Sequence, residues 1–239
     1  MAVQTKTIDY TDGDAELEGY FAWDDAVSGP RPGVLIVHAW AGRSPFEEKV
    51  ARKLASLGYA GLAMDVYGKG VLGGSPEENT KLMTPFQENR PMLQNRLKIG
   101  LQVLRDQGQV DANKTAATGY CFGGMCVLDL ARTGEEFQGA ASFHGLFNKP
   151  GNTDGNAIKA KVLALHGWDD PMVPPADVTA LAEELTAGGA DWQIHGYGNT
   201  LHAFTNPEAN APDMGAMYQA DADRRSWQAM ENFLAEVFA

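Results

Sequence analysis

A short glycine-rich segment, Gly119-Tyr120-Cys121-Phe122-Gly123-Gly124, constrains the fold of this chain more than any other. A run that favours a strand, 114–118, precedes it, and an apolar run that favours a helix, 125–131, follows it. Glycines two residues before and after Cys121 let a strand and a helix approach closely enough to make a sharp turn. The segment therefore predicts a nucleophile elbow with Cys121 as the nucleophile. A glycine-rich turn around a buried structural cysteine is the alternative.

The position of Cys121 has a chemical reason. At the start of a helix, the aligned backbone dipoles stabilise a thiolate over a thiol. The second cysteine, Cys126, falls one turn into the expected helix, and we expect it to be a small buried hydrophobic side chain. The spacing of the two cysteines matches no disulfide framework and no zinc site, so we expect a reducing compartment. No pair of histidines has metal-ligand spacing on a helix, and we therefore expect no metal.

Length and charge limit the classes of protein to consider. A chain of 239 residues that is 44% hydrophobic can bury one sizeable core, so we expect a single domain over residues 1–239. The sequence has no apolar run of about 20 residues and no signal-peptide pattern, and we therefore expect a cytoplasmic protein. With 19 basic and 31 acidic residues the net charge is −12, which argues against nucleic acid and membrane partners.

The hydrophobic pattern alternates between strand and helix after a strand-rich start. Residues 8–10 and 17–23 flank a turn signal and predict an N-terminal antiparallel hairpin. The further strands are predicted at 33–38, 59–64, 139–144, 162–166 and 192–197, and the helices at 46–57, 86–107, 176–187 and 217–237. A polar segment from Asp65 to about Pro85 is expected to be a long surface excursion. This alternation predicts an α/β fold, with a mostly parallel central sheet and helices on both faces.

A base for Cys121, and a group that orients this base, should come from loops after later strands. The turn 167–174 carries two carboxylates, Asp169 and Asp170, and a later polar loop carries His202. The order of nucleophile, acid and histidine along the chain is that of the α/β-hydrolase fold. Together these residues predict a catalytic triad at one edge of the sheet.

These motifs resemble the dienelactone hydrolase family of α/β hydrolases, over almost the whole chain. The resemblance rests on the segments 119–124, 170–174, 202–204 and 38–42. It implies a Cys-His-Asp triad that hydrolyses a small ester or lactone through an acyl-enzyme, without a cofactor. Asp170 corresponds to the acid of the family because it directly precedes Pro171-Met172-Val173-Pro174. Asp169 is then a turn residue or a cap.

The resemblance also assigns the backbone groups that would stabilise a developing oxyanion. One is the N–H of Phe122, directly after the nucleophile, and the other is the N–H of Trp40 in the loop after the first core strand. His202 would move the proton, and Asp170 would hold its tautomer. The partner of this site would be a small-molecule ester or lactone.

The chain departs from the family at two places. A glutamate that the family carries after the first core strand is replaced by Ala39, and an arginine four residues beyond the triad histidine is replaced by Asn206. Arg90 could supply a cation for a substrate carboxylate, or be a solvated helix residue. The expected pocket residues are Ala39, Tyr120, Arg90, His144, Phe204 and Asn206. His144, like His38 and His166, ends a predicted strand and either lines the pocket or is structural.

Other functions use the same residues. A hydrolase of unrelated small esters or thioesters needs the same triad. A catalytically silent binding member of the fold remains a hypothesis because the carboxylate expected at Ala39 is missing. A redox role for Cys121 is disfavoured because no second cysteine lies at Cys-x-x-Cys spacing. The sequence leaves the oligomeric state open.

Overall fold

Strands and helices alternate along the computed structural model, which describes residues 3–239. The strands are β1 Val3–Asp12, β2 Ala15–Asp24, β3 Arg31–Val37, β4 Ala60–Ala63, β5 Val110–Tyr120, β6 Gly139–Phe143, β7 Lys161–Gly167, β8 Trp192–Tyr197, β9 Asn210–Ala211 and β10 Ala216–Met217. The helices are α1 Pro45–Ser56, α2 Pro76–Glu88, α3 Arg90–Arg105, α4 Phe122–Arg132, α5 Pro175–Ala187 and α6 Ala220–Val237, with a short 3-10 helix at Pro212–Met214. The chain divides into two compact units, one ending at Thr118 and the other covering Gly119–Ala239. The expectation of a single domain stays a prediction.

The first unit begins with the predicted antiparallel hairpin. β1 pairs with β2 from Val3 opposite Asp24 to Asp12 opposite Ala15. β2 is antiparallel to β4, and β4 is parallel to β3, so that the strands lie in the order β1-β2-β4-β3 and β5 follows β3. The apolar run of β3 is buried, as a central strand of a parallel sheet requires.

The helix after β3 starts with a complete capping box. The N–H of Phe46 donates to the Ser44 hydroxyl oxygen at 3.2 Å, and the N–H of Ser44 donates to a Glu47 carboxylate oxygen at 2.9 Å. Pro45 takes the first helical position, where a missing N–H costs no hydrogen bond. Glu47 is buried and is held by this cap.

The second unit carries three parallel strands. β6, β7 and β8 lie side by side, with Gly139 opposite Lys161 and Val162 opposite Trp192. α6 packs so closely on β6 that a Cβ atom on Gly139 would lie 2.7 Å from the ring of Phe233. The predicted mostly parallel sheet with an N-terminal hairpin is thus confirmed. In parallel strands the carboxyl ends share one edge, and the loops after β6, β7 and β8 carry the candidate site residues there.

The segment 65–107 differs from the sequence-based expectation. The expected excursion up to Pro85 is shorter, because α2 already begins at Pro76, where the Ser75 hydroxyl caps the N–H of Glu78. The expected single helix over 86–107 is wrong at its start. Asn89 ends α2 and caps α3, accepting from the N–H of Met92.

The turn from β5 into α4 depends on two close backbone approaches. A Cβ atom on Gly119 would lie 2.1 Å from the carbonyl oxygen of Gly123, and one on Gly124 would lie 2.7 Å from the Cα of Gly145. Cys121 lies between them with φ 55° and ψ −114°, a region that residues other than glycine rarely adopt. The strand therefore turns into the helix within one residue, as an elbow requires.

Replacing Gly119 with alanine tests this turn. Because the new methyl group would meet the Gly123 carbonyl inside van der Waals contact, we expect Gly119→Ala to lower the free energy of unfolding by about 1–3 kcal/mol or more. Chemical denaturation measures the change. Gly108→Ala is the matched control, since a Cβ atom there meets nothing within 4 Å. Equal stability of the two variants would contradict the close approach.

Candidate active site

Cys121 stands at the elbow as the residue that precedes the first turn of α4. Its side chain is half-buried, and its carbonyl oxygen accepts from the N–H of Met125 at 3.2 Å, the first hydrogen bond of the helix. Its own N–H donates to the Phe143 carbonyl oxygen at 3.0 Å and lies 3.1 Å from Nδ1 of His144. Such a strained backbone costs about 1–3 kcal/mol and persists only where its surroundings impose it. Strand β6 and His144 provide those surroundings.

The two cysteines have different environments. Cys126 is completely buried inside α4, whereas Cys121 is partly accessible at the helix start. Within residues 3–239, neither cysteine is part of a disulfide. Reactive cysteines are partly exposed and lie at helix N-termini or near cations, so Cys121 is the one suited to react.

His202 and Asp170 form a buried pair. Nδ1 of His202 lies 2.7 Å from Oδ2 of Asp170, and both side chains are almost fully excluded from solvent. Oδ1 of Asp170 accepts from the N–H of Met172 at 2.9 Å, which fixes the carboxylate in its turn. A carboxylate on Nδ1 keeps a proton on that nitrogen and leaves Nε2 for chemistry.

Asp169, the neighbouring carboxylate, has a different task. It is exposed, and its Oδ2 accepts from the N–H of Thr200 at 3.0 Å. The N–H of Asp169 in turn donates to the carbonyl oxygen of Thr200. Asp169 therefore ties the turn after β7 to the loop that leads to His202, as expected of a turn residue.

A small hairpin that the sequence did not predict holds the histidine loop. The N–H of His202 donates to the Gly215 carbonyl oxygen at 2.9 Å, and the His202 carbonyl oxygen accepts from the N–H of Met217 at 3.0 Å. The hairpin also lies against the acid turn, because a Cβ atom on Gly215 would lie 2.2 Å from the ring of Pro171. The two-residue strands β9 and β10 are too short for a periodic hydrophobic signal.

The protonation of His202 reflects its neighbours. Burial lowers the pKa of this imidazole, but the negative charge of Cys121 and the Asp170 carboxylate outweigh burial and raise the pKa to about 10. Nε2 of His202 is buried, and Cys121 raises this pKa first through its charge and then through a side-chain hydrogen bond. A pKa in this range leaves His202 protonated at neutral pH.

The groups predicted for an oxyanion hole lie in different units. Phe122 is the buried first residue of α4 and directly follows the nucleophile. Trp40 follows β3 in the first unit, where its carbonyl oxygen accepts from the Tyr67 hydroxyl group at 3.0 Å. The roles of both N–H groups stay predictions.

Most of the expected pocket residues of the second unit are buried in the core or hydrogen-bonded within a turn. Tyr120 and Phe204 are buried, and the Tyr120 ring stacks on Phe143 at 4.7 Å between centroids. Asn206 is exposed, and its side-chain oxygen accepts from the N–H of Glu208 at 3.0 Å. His144 is buried, with both ring nitrogens in hydrogen-bond distance of a neighbour.

The expected pocket residues of the first unit are Ala39 and Arg90. The N–H of Ala39 lies 3.4 Å from a carboxylate oxygen of Glu47, the residue that caps α1. Arg90 is buried at the start of α3, where its Nε donates to the Gln87 carbonyl oxygen at 3.2 Å. It is not the solvated helix residue that the sequence allowed. A role of either residue toward a substrate stays a prediction.

Comparison with known proteins identifies the family. The model of the dienelactone hydrolase family matches residues 17–238. The chain belongs to the dienelactone hydrolase family. It is therefore a hydrolase of the α/β-hydrolase fold, and membership supports an ester or lactone as the bond that it cleaves.

Three relatives span most of the chain. A solved structure of a dienelactone hydrolase-like promiscuous phosphotriesterase from metagenomic libraries is 37% identical and has a TM-score of 0.94, covering 100% of both chains. A solved structure named m3DLH is 35% identical, with a TM-score of 0.93 and the same coverage. The Yersinia pestis protein named "Putative carboxymethylenebutenolidase" is 27% identical over 92% of this chain and 84% of its own length.

Across residues 3–239, no three histidine, cysteine or acidic side chains are grouped so that they could hold a metal ion. Among the helices of the same residues, none is long and apolar enough to cross a membrane.

Replacing each carboxylate separately tests the acid. We expect Asp170→Asn to lower kcat on a chromogenic ester by several orders of magnitude, comparable to the loss of about 10⁴-fold in a serine protease whose histidine takes the wrong tautomer. The pKa of His202, measured by NMR, should fall, since the Asp170 carboxylate helps to raise it. Asp169→Asn, the matched control, should change both quantities little, and a larger loss of kcat there would make Asp169 the acid.

Proposed function

We propose that this hydrolase cleaves small esters or lactones through an acyl-enzyme on Cys121. The observation that carries the proposal is the buried His202. Its pKa rises to about 10 although burial lowers it, because Cys121 and Asp170 surround it with negative charge. A histidine in this state holds the proton that a leaving group needs while the thiolate attacks.

Acylation would use the thiolate–imidazolium pair directly. The sulfur of Cys121 attacks the acyl carbon, and the oxygen of the leaving alcohol takes the proton from Nε2 of His202. The products of this step are a thioester on Cys121 and an alcohol, or a single opened chain for a lactone. The hydrogen bond from Nδ1 to Asp170 keeps the imidazole in the orientation that the transfer needs.

Deacylation would reverse the direction of proton transfer. Neutral His202 takes a proton from water as the water oxygen attacks the thioester carbon. The carboxylic acid leaves, and the sulfur of Cys121 returns to a thiolate beside the imidazolium ion. In each step, negative charge develops on the acyl oxygen. We assign its stabilisation to the N–H groups of Phe122 and Trp40.

Activation of the thiol in this proposal requires no substrate. Ala39 carries no carboxylate that could take the thiol proton, and the nearby Glu47 carboxylate is engaged by the cap of α1. In this proposal His202 and the start of α4 stabilise the thiolate. The resting enzyme is therefore expected to hold the charged pair.

Trapping the intermediate tests the proposal. An activated ester, p-nitrophenyl acetate, should give a burst of p-nitrophenol and add one acetyl group to the peptide that contains Cys121. Rapid acid quench followed by peptide mass spectrometry measures the product. Cys126→Ala is the control and should retain the burst, because Cys126 is buried inside α4. A burst that survives Cys121→Ala would exclude the cysteine mechanism.

The charge of the preferred substrate follows from the second departure. The exposed Asn206 lies where an arginine of the family would hold a carboxylate, and its side chain is engaged with Glu208. A charge-assisted hydrogen bond of this kind contributes about 1.5–3 kcal/mol. The net charge of −12 further disfavours anionic substrates.

We therefore expect neutral esters or lactones to be hydrolysed at least as well as dienelactones that bear a carboxylate. The measurement is kcat/KM for a dienelactone and for its neutral methyl ester. A preference of about 100-fold for the anion corresponds to nearly 3 kcal/mol of carboxylate recognition. Such a preference would require another cation, and Arg90→Gln would then be the variant to examine.

Phosphotriester hydrolysis is a second candidate function. The observation that favours it is the promiscuous phosphotriesterase that is 37% identical over the whole chain. The same thiolate would attack phosphorus and release an alcohol, and the trapped species would be a phosphorylated Cys121. Paraoxon in place of the ester in the quench experiment distinguishes this activity by the added mass. A binding protein without catalytic activity would give neither the acetylated nor the phosphorylated Cys121.

A further inference from the structure

His144 lies behind the nucleophile, and the mechanism above gives it no role. It directly follows β6, is buried, and has φ 38°, again a conformation that residues other than glycine rarely adopt. Its Nδ1 lies 3.1 Å from the backbone nitrogen of Cys121, and its Nε2 lies 2.8 Å from the hydroxyl oxygen of Thr205. One imidazole therefore links the elbow to the loop that carries His202.

The hydrogen bonds define one tautomer of His144. The backbone N–H of Cys121 can only donate, so Nδ1 of His144 must accept and carries no proton. A neutral imidazole then has its proton on Nε2, which donates to the hydroxyl oxygen of Thr205. A cationic imidazole would place two N–H groups against each other at Cys121. The geometry thus selects neutral His144.

The ring of His144 also supports the ring of His202. The two centroids are 5.1 Å apart at an interplanar angle of 66°, and Phe204 packs on the His144 ring at 5.1 Å and 80°. Edge contacts of this kind restrict how far a ring can rotate. The hydrogen bond from Nδ1 of His202 to Asp170 and the ring contact with His144 therefore fix the orientation of the His202 ring jointly.

Electrostatics act in the same direction. Burial, followed by the nearby charge of His202, holds the pKa of His144 well below its usual range. Among the described residues, the titratable groups that face it include His202, Cys121 and the more distant Tyr120, whose ring centroid is 6.1 Å away. A second cation at His144 would compete with His202 for the thiolate. The neutral form avoids this competition.

We propose that His144 is a positioning residue, which acts through Cys121 and His202 as a neutral imidazole whose tautomer is set by the N–H of Cys121 and whose Nε2 donates to Thr205. Its Nδ1 holds the backbone of the strained nucleophile, and its ring edge holds the imidazole of the base. The proposal rests on the proposed function and adds a residue outside the triad. It predicts that thiolate reactivity depends on an acceptor at position 144.

Two substitutions at position 144 separate the acceptor from the ring. His144→Phe keeps an aromatic edge but has no acceptor for the N–H of Cys121. His144→Asn provides a side-chain oxygen close to the position of Nδ1, and asparagine tolerates positive φ better than most residues. We expect His144→Phe to lower kcat by about tenfold with little change in KM, the kinetic equivalent of one hydrogen bond. His144→Asn should recover most of that loss.

The pH profile of Cys121 alkylation is the second readout, and packing alone would not move it. The half-maximal pH for reaction with iodoacetamide should rise by about one unit in His144→Phe, because the thiolate–imidazolium pair is then less well aligned. It should stay near the wild-type value in His144→Asn. Thr205→Val should shift the profile upward, whereas Thr205→Ser, which keeps the hydroxyl group, should not.

These experiments distinguish failure of the His144 proposal from failure of the acyl-enzyme proposal. Wild-type kcat and an unchanged alkylation profile in a folded His144→Phe protein would overturn the positioning role. If kcat fell equally in the phenylalanine and asparagine variants, and in proportion to their loss of thermal stability, the role of His144 would be packing alone. The alkylation profile needs no ester turnover, so it tests His144 even if Cys121→Ala retained activity and the acyl-enzyme proposal failed.

Discussion

The backbone of Cys121 passes through a conformation that an ordinary residue avoids, and the rest of the site is arranged around that strain. The turn exists because Gly119 lets β5 approach the Gly123 carbonyl, which any side chain would obstruct. Hydrogen bonds from the N–H of Cys121 to Phe143 and His144 compensate for part of the cost. The consequence is chemical. A thiol stands at the first turn of a helix, where negative charge is stabilised.

The electrostatics of the site follow from burial combined with close charges. An isolated buried histidine would lose its proton, but the charge of Cys121 and the Asp170 carboxylate raise the pKa of His202 to about 10 despite burial. His144, buried nearby with no carboxylate on its ring, is held neutral. Two histidines with ring centroids 5.1 Å apart thus have pKa values shifted in opposite directions, and their neighbours explain the difference.

The hydrophobic pattern predicted the bounds of two elements of the second unit closely. The strand over 192–197 has the predicted bounds, and the helix predicted at 176–187 begins one residue earlier. The prediction was wrong over 76–85, because α2 is mostly solvent-exposed and presents few apolar residues at helical spacing. The sequence feature that marks the start of α2 is the N-cap residue Ser75, and an analysis of hydrophobic periodicity does not detect caps. The β9–β10 hairpin was missed for a related reason, since two-residue strands contain no period.

The sequence by itself determined the elbow, because only glycines beside Cys121 permit the turn, and it determined the order of nucleophile, acid and histidine. Asp170 was chosen over Asp169 by family resemblance, and the tertiary structure decides which carboxylate reaches His202 through the direction of each side chain in the turn after β7. Only the tertiary structure set the protonation of His144 and His202. Both depend on burial and on charges more than 20 residues away along the chain, and no local pattern encodes such distances.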